Sequence, residues 1–571
     1  MTSVTRTILP STATPAHETV ISRQPCAADR QLQINVVMVK PTWQGMTLQQ
    51  YADAVITGTA PVMTHDEYAT AFAIPGAQLD AIAAFGAEQG LSEISRNADA
   101  GYVKLSGTIA DLGAAFGVTL EDVTTATRTY RSHAEDISLP SDVADLVLHV
   151  LGLDDYVPLV KHLRLHDAGA AAPQALHYVT PAQAAIAYQF PAGNGLGAHI
   201  GIIEVGGGYD TADVVATFSY NGAAVPTLVD ISVSGGINYG SGGSASDETL
   251  LDLICCGGVA PGAILYMYFA PDTFDLTSGL TYIYDAVNAA ITDVVNNPSV
   301  VSVSYGFGQS YWDAIPGLVS SFEASFQAGV AKGISVLVAS GDDGAQGRAD
   351  AAPSTGYPGS SPYCISCGGT TLQLNLNGSI ASETVWNQGN AGTGGGISTF
   401  ALPSYQLGLG LTATPYTLSG GAGSPVTLTK RGMPDLSSNS DPASGYRLSI
   451  GGVIYQYGGT SAAAPLLAGL CGIINANTGS RVGFINSKIY TASSAFTDVT
   501  VGNNCASSLQ STGWAATAGW DACTGMGSPI GTALQALFAS TRPSTGAVWP
   551  QVAVGVRPST GQAWPRQQLL A

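Results

Sequence analysis

The chain has 571 residues, of which 45% are hydrophobic and 11% charged, and this composition indicates globular domains with a large core rather than a disordered chain. Its formal net charge of -20 argues against nucleic acid as a partner, because phosphate binding requires clustered Lys and Arg. No run of about 20 apolar residues occurs, so neither a transmembrane helix nor a membrane partner is expected.

The first 165 residues divide into two parts. Residues 1–30 are polar, lack the apolar core of a signal peptide and are expected to form a flexible leader. Residues 31–165 are expected to fold as a compact α+β unit. The elements predicted in it are strands at 32–39 and 102–107, a helix that follows the Thr64 capping box, and a helix at 109–116.

The rest of the chain begins with residues 166–177, an alanine-rich stretch that is expected to be an exposed linker. In residues 178–540 helices alternate with almost continuously apolar strands, which predicts a parallel sheet covered by helices. The predicted strands lie at 199–205, 264–269, 300–305 and 334–339, and the predicted helices at 280–296 and 317–332. Residues 541–571 carry Arg-Pro-Ser-Thr-Gly twice and are expected to be a disordered tail.

The eight cysteines are too few for a disulfide scaffold at this length. Cys505 and Cys523 flank a loop and are candidates for a disulfide, which would suit an extracellular setting. Buried thiols are expected at Cys26, Cys255, Cys256 and Cys471.

One segment has the form of a nucleophile turn: Gly459-Thr460-Ser461, followed by small residues up to Pro465. The small neighbours of Ser461 would allow a substrate backbone to approach closely. A serine at the start of a helix is also a good N-cap, so capping is the alternative interpretation. A catalytic serine needs a base, and no histidine follows His199. Carboxylates are therefore the obvious candidates for the base.

Glu248 and Asp252 are four residues apart, a spacing that places both carboxylates on one face of a helix. A solvated acidic stripe is the alternative, but the surrounding residues are apolar and favour burial of at least Asp252. Two carboxylates held close in a site of low dielectric share protons and titrate as a pair.

Ser340-Gly341-Asp342-Asp343-Gly344 directly follows the apolar strand predicted at 334–339. Sites in open parallel sheets form beyond the carboxyl ends of the strands. An ordinary turn aspartate is the alternative. At low pH one of these aspartates could be protonated and donate a hydrogen bond to a developing oxyanion.

Three motifs in this order, Glu248-x-x-x-Asp252, Ser340-Gly341-Asp342 and Gly459-Thr460-Ser461-Ala-x-x-Pro465, resemble those of the sedolisins, the serine-carboxyl peptidases. The resemblance extends over nearly the whole chain up to about residue 540. It implies a subtilisin-like α/β peptidase domain, with helices on both faces of a parallel sheet, preceded by an α+β, ferredoxin-like prodomain.

The resemblance also implies a role for each matching residue. Ser461 would be the nucleophile, Glu248 the general base and acid, and Asp252 the group that orients Glu248 and shares its proton. Asp342 would stabilise the oxyanion, and Glu204 would extend the hydrogen-bond network behind the acid pair.

One calcium ion is implied near the C-terminal end of the peptidase domain. The residues that match the family's ligands are Asp498, Val499, Thr517, Gly519 and Asp521. Two carboxylates together with backbone carbonyls suit this hard, oxygen-seeking cation.

The function implied is that of an acid-acting serine endopeptidase, made as a zymogen and cutting itself within 168–175. Its partners would be polypeptide substrates and its own prodomain as an inhibitor, and it would be secreted and monomeric after processing. Two alternatives stay open: a retired peptidase fold that acts as a binding or surface protein, and a subtilisin-like enzyme that uses His199.

Acid action follows from the residue types, because a Glu–Asp pair still holds one proton and one charge at about pH 4, where a histidine base would be protonated. A further hypothesis concerns the histidines before residue 167. If that unit covers the active site, acidification would charge them and weaken docking. They are His17, His65, His133, His149, His162 and His166.

Overall fold

The computed structural model describes residues 5–10, 12–13, 18–166, 178–243, 245–271, 279–347 and 353–539. The predicted linker, apart from His166, and the predicted tail, residues 541–571, lie outside these residues, as does His17. No helix in the described ranges has the length and apolar character needed to cross a membrane.

The N-terminal unit contains a four-stranded antiparallel sheet, which is flanked by helices, and several shorter strands outside that sheet. Its strands are β1 Arg6–Ile8, β2 Ser22–Pro25, β3 Gln31–Met38, β4 Ser92–Asn97, β5 Tyr102–Thr108, β6 Glu121–Thr124, β7 Thr129–Ser132, β8 Ser138–Pro140 and β9 Val147–Leu151. Its helices are α1 Leu48–Ile56, α2 His65–Phe72, α3 Gly76–Glu88, α4 Ile109–Phe116 and α5 Ser141–Ala144. The sheet order β4-β5-β3-β9, with α3 and α4 in the two crossovers, is that of a ferredoxin-like fold.

The local signals of this unit were interpreted correctly from the sequence. Thr64 and Glu67 form the predicted capping box at the start of α2, and α4 covers the predicted residues. Within the described part of residues 1–30, two short strands lie where a flexible leader was predicted. Strand β1 pairs with β8, and β2 pairs with β6. These pairings join the N-terminal residues to partners 96 to 134 positions further along the chain, where no local sequence pattern could have placed them.

The second unit contains the large sheet. Two short strands, β10 Val160–Lys161 and β11 Arg164–Leu165, precede it. Its further strands are β12 His199–Val205, β13 Thr227–Ser232, β14 Ile264–Ala270, β15 Val300–Val303, β16 Tyr305–Gly308, β17 Ser335–Ala339, β18 Gly356–Tyr357, β19 Ile365–Leu374, β20 Ile380–Val385, β21 Gly396–Ala401, β22 Thr412–Thr417, β23 Gly421–Ala422, β24 Val426–Thr427, β25 Lys430–Met433, β26 Leu436–Asn439, β27 Tyr446–Ile450, β28 Val453–Gly458, β29 Phe496–Thr497, β30 Thr512–Ala515 and β31 Ser528–Pro529.

The helices of this unit alternate with the strands of the large sheet. They are α6 Pro181–Ala187, α7 Thr211–Tyr220, α8 Ser246–Val259, α9 Gly279–Thr292, α10 Gln309–Asp313, α11 Pro316–Ala331, α12 Thr460–Thr478, α13 Asn486–Ile489 and α14 Gly531–Ala539, with short 3₁₀ turns at Gly240–Gly242, Pro442–Ser444 and Ser493–Ala495. The sheet order is β13-β14-β12-β15-β17-β19-β20, and β26 also pairs with β19. All neighbours are parallel except β19 and β20, as the apolar strands predicted.

Helices cover both faces of this sheet. Neighbouring residues of β12 point to opposite faces. A Cβ on Gly472 of α12 would touch Ile200 at 2.7 Å, whereas a Cβ on Gly201 would contact Ala290 of α9 at 3.6 Å. Helix α12 also packs against α8 on the first face, and α11 packs beside α9 on the second.

The N-terminal unit docks on the second face, against α9 and α11. A buried ion pair joins Lys104 of β5 to Asp285 of α9, and Asn35 of β3 donates to the same carboxylate at 2.7 Å. On α11, a Cβ added to Gly317 would lie only 2.5 Å from Nδ1 of His149. The sheet of the N-terminal unit therefore contacts the two helices directly, through polar as well as apolar groups.

The predicted disulfide between Cys505 and Cys523 is wrong. Both are buried thiols whose sulfurs face different carbonyls: Cys505 Sγ lies 3.6 Å from the oxygen of Gln510, and Cys523 Sγ donates to that of Trp514 at 3.1 Å. The four predicted buried thiols are confirmed, since all eight cysteines are buried and unpaired.

Candidate active site

Ser461 is the second residue of helix α12 and is fully buried. The residue that caps this helix is Gly459, so Ser461 is not the N-cap that the alternative interpretation proposed. Gly459 has a φ of 105°, and a Cβ there would lie 2.2 Å from the carbonyl oxygen of His162 and 2.7 Å from Oδ2 of Asp342. The glycine thus keeps the space in front of the serine open for a backbone carbonyl.

Glu248 and Asp252 lie on helix α8, which packs against α12, and both are fully buried. The hydroxyl of Ser304 donates to both oxygens of Asp252 at 3.0 Å. Ser461 Oγ donates at 3.3 Å to the carbonyl of Ser304, and within the described residues neither oxygen of Glu248 has a hydrogen-bond partner of good geometry. A solvated acidic stripe is excluded, because neither carboxylate reaches water.

The pKa values of Glu248 and Asp252 both lie well above their ordinary values, and burial is the main cause for each. The charge of Glu248 raises the pKa of Asp252 further, whereas the nearby hydroxyl of Ser461 lowers the pKa of Glu248. That hydroxyl is close enough to Glu248 to stabilise its charge, although it forms its hydrogen bond with Ser304. We therefore regard the two carboxyl groups as a coupled pair that shares a proton in acid.

Glu204 lies near the end of β12, behind this pair. Its Oε2 accepts hydrogen bonds from Thr249 at 2.9 Å and from the hydroxyl of Tyr305 at 3.2 Å. Burial raises the pKa of Glu204 to about 8, and these two hydrogen bonds oppose the increase. Three carboxyl groups thus share one buried cluster.

Asp342 occupies the turn after β17 and lies beside the start of α12. Its Oδ1 accepts from the backbone N–H of Thr460 at 2.8 Å and from the hydroxyl of Thr460 at 2.9 Å. Its Oδ2 has no hydrogen-bond partner among the described residues and lies 3.6 Å from Nε of Arg164. Burial raises the pKa of Asp342 to about 6, although Arg164 and Thr460 oppose the change.

A segment of the chain itself passes through this site. Strand β10 pairs antiparallel with β16, and β11 pairs antiparallel with β28. Between them, the N–H of His162 donates to the carbonyl of Ser304 at 3.0 Å, and the carbonyl of His162 accepts from the N–H of Ser461 at 3.0 Å. One peptide carbonyl therefore lies against the backbone of the candidate nucleophile, with Asp342 beside it.

His199 lies elsewhere. It is the first residue of β12, whereas Glu204 is close to the end of that strand, roughly 17 Å further along at ~3.3 Å per residue. Its Nδ1 contacts the carbonyl of Asn296 at 2.6 Å. The histidine-dependent alternative thus places its base, His199, at the N-terminal end of β12, whereas Glu204 lies near the C-terminal end of that strand.

The predicted calcium ligands form two neighbouring loops. The N–H of Gly519 donates to Asp498 at 2.8 Å, and the N–H of Thr517 donates to Asp521 at 3.3 Å. Val499 is buried beside Asp498. Burial raises the pKa of Asp521 to about 7 despite hydrogen bonds from backbone N–H groups. The described ranges contain no cluster of three or more His, Cys, Asp or Glu side chains suited to a metal ion.

Sequence reasoning missed several residues of this site. Ser304 contacts both the serine and the acid pair. It lies between β15, which ends at Val303, and β16, which begins at Tyr305, whereas one strand was predicted over 300–305. Residues 160–165 gave no signal, because their strands have only two residues each. Gly459 was the available clue, since a glycine before a nucleophile indicates close approach of another backbone.

Comparison with protein-family models gives two matches. The model described as "Pro-kumamolisin, activation domain" matches residues 19–156, and the model described as "Subtilase family" matches residues 242–481.

Individual proteins and a solved structure agree with these matches. Kumamolisin of Bacillus sp. (strain MN-32) is 36% identical over 541 residues, which cover 91% of this chain and 94% of kumamolisin. Sedolisin of Pseudomonas sp. (strain 101) is 28% identical, covering 81% of this chain and 79% of sedolisin. A structure of Pseudomonas sedolisin (serine-carboxyl proteinase) with two molecules of pseudo-iodotyrostatin matches with a TM-score of 0.55 at 29% identity, over 64% of this chain and 100% of that chain.

Proposed function

Because this chain belongs to the sedolisin family of serine-type peptidases and carries the family's activation domain, we propose that it is an acid-acting endopeptidase that processes its own zymogen. Ser461 is the nucleophile of this proposal, and Glu248 and Asp252 are its acid–base pair. The observation that carries it is the hydrogen bond from the N–H of Ser461 to the carbonyl of His162. That bond holds a peptide carbonyl against the backbone of Ser461, in the position expected for a substrate carbonyl.

In the first step, Oγ of Ser461 attacks the carbonyl carbon and its proton passes to Glu248, whose ionised form supplies the base. The C–N bond then breaks, and Glu248 returns the proton to the leaving amine. Water then attacks the acyl-enzyme: Glu248 takes a proton from the water, the ester bond breaks, and Glu248 returns the proton to Oγ of Ser461. Asp252, held by Ser304, shares the proton of Glu248 throughout.

The negative charge on the carbonyl oxygen needs donors. The N–H of Ser461 supplies one, and a protonated Asp342 beside it supplies the second. The neutral form of Asp342 is therefore the active one, and it is lost as the pH rises through its pKa of about 6. This is the physical reason to expect an enzyme that works in acid and fails towards neutrality.

The same geometry suggests which bond the zymogen cuts first. From the sequence, self-processing was predicted within residues 168–175 of the linker. These residues lie outside the described ones. The carbonyl lying against Ser461 is that of His162, so the bond offered for attack is His162–Leu163. We include this bond in the proposal, with trimming of the following residues as a later event. Until the cut, residues 31–165 act as the inhibitory prodomain.

One calcium ion belongs to the proposal through Asp498 and Asp521, with carbonyl oxygens of Val499, Thr517 and Gly519. The residues fit: Asp521 is a buried carboxyl group, and no Lys or Arg of the described part forms an ion pair with either carboxylate. A bound cation would neutralise both charges and tie the two loops together. Secretion rests on the family resemblance alone, and so does a monomeric mature form.

The direct test is casein cleavage by the purified chain after incubation at about pH 4 and about pH 7, beside the Ser461→Ala variant. We expect cleavage and self-shortening only in acid and only with the serine. Activity that persists in Ser461→Ala, or that is greatest at neutral pH, would refute the proposal. Absence of activity at both pH values, in a folded protein, would favour the retired binding protein.

A further inference from the structure

In the segment 160–165, which passes through the candidate active site, the basic residue Lys161 directly precedes His162, whose carbonyl contacts Ser461. Val160 lies opposite Gly306 and Lys161 opposite Tyr305 in the β10–β16 pair, and His162 follows. Side chains alternate along an extended segment, so Lys161 and His162 point to different sides. Lys161 is thus the residue directly before the one whose carbonyl contacts Ser461.

The ammonium group of Lys161 donates to Oδ1 of Asp247. The two side chains are only 27% and 24% exposed, so the pair lies within the cleft and not on an open surface. An ion pair of this kind is stronger and more selective than a fully solvated one, because the neighbouring protein excludes part of the solvent.

Asp247 is held in a fixed position. It lies in the first turn of α8, directly before Glu248, and its Oδ1 accepts from the N–H of Glu248 at 2.9 Å. Tyr457 of β28 borders it: burial, and after it the charge of Asp247, raises the pKa of the Tyr457 hydroxyl. A carboxylate held in this way at a helix N-terminus needs little rearrangement to receive a cation.

A cation in this position also acts on the neighbouring carboxyl groups. Burial dominates the raised pKa of Glu248, and the charge of Lys161 opposes it. The same ammonium group lowers the pKa of Glu204 against the larger effect of burial. A basic side chain at this position thus favours the ionised form of the group that we propose as the base.

We propose that Asp247 determines specificity by selecting a lysine or arginine at the position directly before the residue that is acylated. This inference rests on the proposed function, because it takes residues 160–165 as a copy of how a substrate is bound. The mature enzyme then prefers peptides with a basic residue at that position, and glutamate there is disfavoured by repulsion from Asp247 and Glu248.

The test uses the full chain after self-processing in acid has finished, with peptides copied from its own segment. The reference peptide is Leu-Val-Lys-His-Leu-Arg-Leu, and two others carry Gln or Glu in place of Lys. The measured quantity is kcat/KM for cleavage after His at one acidic pH, and all comparisons are ratios between peptides within one protein. We expect the Lys peptide to exceed the Gln peptide by about tenfold, and the Glu peptide to be cleaved more slowly still.

Two variants of Asp247 test the assignment. In Asp247→Asn the Lys-to-Gln ratio should fall to within about twofold of one, and in Asp247→Lys the order of the Lys and Glu peptides should reverse. Asp210→Asn is the matched control, because Asp210 is an exposed aspartate of the same unit whose carboxylate accepts from Ser241. Its ratio should stay that of the unchanged protein.

The outcomes are separable. Cleavage of all three peptides by the unchanged protein at similar rates overturns the selection by Asp247 and leaves the proposed peptidase function intact. A Lys preference that survives in Asp247→Asn also overturns it. Failure to cleave any of the peptides, in a chain that has not processed itself, contradicts the proposed function and with it this inference. Because the comparison within the unchanged protein needs no variant, poor folding of a variant leaves the test decisive.

Discussion

Replacing His149 by glutamine should keep the prodomain docked on the peptidase unit at acidic pH. His149 lies on β9, is 2% exposed, and packs with its imidazole against Gly317 at the start of α11. Its Nδ1 has no hydrogen-bond partner among the described residues. Burial, and after it the charge of His133, lowers the pKa of His149 to about 3. The helix N-terminus beside it is a further reason for the ring to stay neutral.

The sign and the magnitude follow from this lowered pKa. The docked form binds the proton less tightly than an exposed histidine with a pKa near 6.5, so docking is fully stable above about pH 6.5 and weakens as the pH falls towards 3. At pH 4 the loss is on the order of 3 kcal/mol, if release exposes the ring fully. Glutamine cannot become charged, so the His149→Gln variant should lack this loss.

The assay is hydrogen exchange in full-length protein that carries Ser461→Ala, so that no cleavage intervenes. Protection of the amides in β9 and α11 should fall between about pH 6.5 and pH 4 when His149 is present, and should fall much less in His149→Gln. His199→Gln is the control and should behave like the parent, because His199 lies at the start of β12 and its ring contacts the carbonyl of Asn296 within the peptidase unit. Equal loss of protection with and without His149 would refute the reasoning.

Four other expectations follow from the described contacts. Asp285→Asn leaves the buried charge of Lys104 unpaired and should cost about 3–5 kcal/mol of docking, seen as lost protection already at neutral pH; unchanged protection would contradict it. Gly459→Ala should abolish self-cleavage in a folded protein, because its Cβ would occupy the place of the His162 carbonyl; cleavage detected by mass would show that the seating is different. Between pH 6 and pH 7 kcat/KM should fall several-fold as Asp342 ionises, and a flat pH profile would exclude that role. Removal of calcium with a chelator should lower the thermal midpoint of the peptidase unit, which calcium and not magnesium should restore.

Much of the fold could be predicted from the sequence, because its signals are local. The apolar strand His199–Val205 and helix α4 have the bounds that periodicity and capping predicted. The predicted helix at 280–296 ends earlier, at Thr292, because Asp293 instead accepts from the N–H groups of residues 295 and 296 in a turn.

The candidate site could be predicted only where chemistry leaves a motif. The motifs around Glu248, Asp342 and Ser461 identified residues that the structure brings together, although their catalytic roles stay predictions. The contacts of residues 160–165 could not be predicted, since their partners lie about 140 and 290 residues further along the chain. Pairing of such short strands depends on the docked prodomain, which holds the segment in place, and not on local propensity.

The central claim is that Ser461 attacks a carbonyl seated by the chain itself. Mass spectrometry of the intact chain, sampled through the first minutes at about pH 4 and about pH 7, tests it most directly. We predict that the first products are residues 1–162 and 163–571, that they form in acid only, and that Ser461→Ala forms neither. A first cut at another bond, or the same cut in Ser461→Ala, would contradict the account.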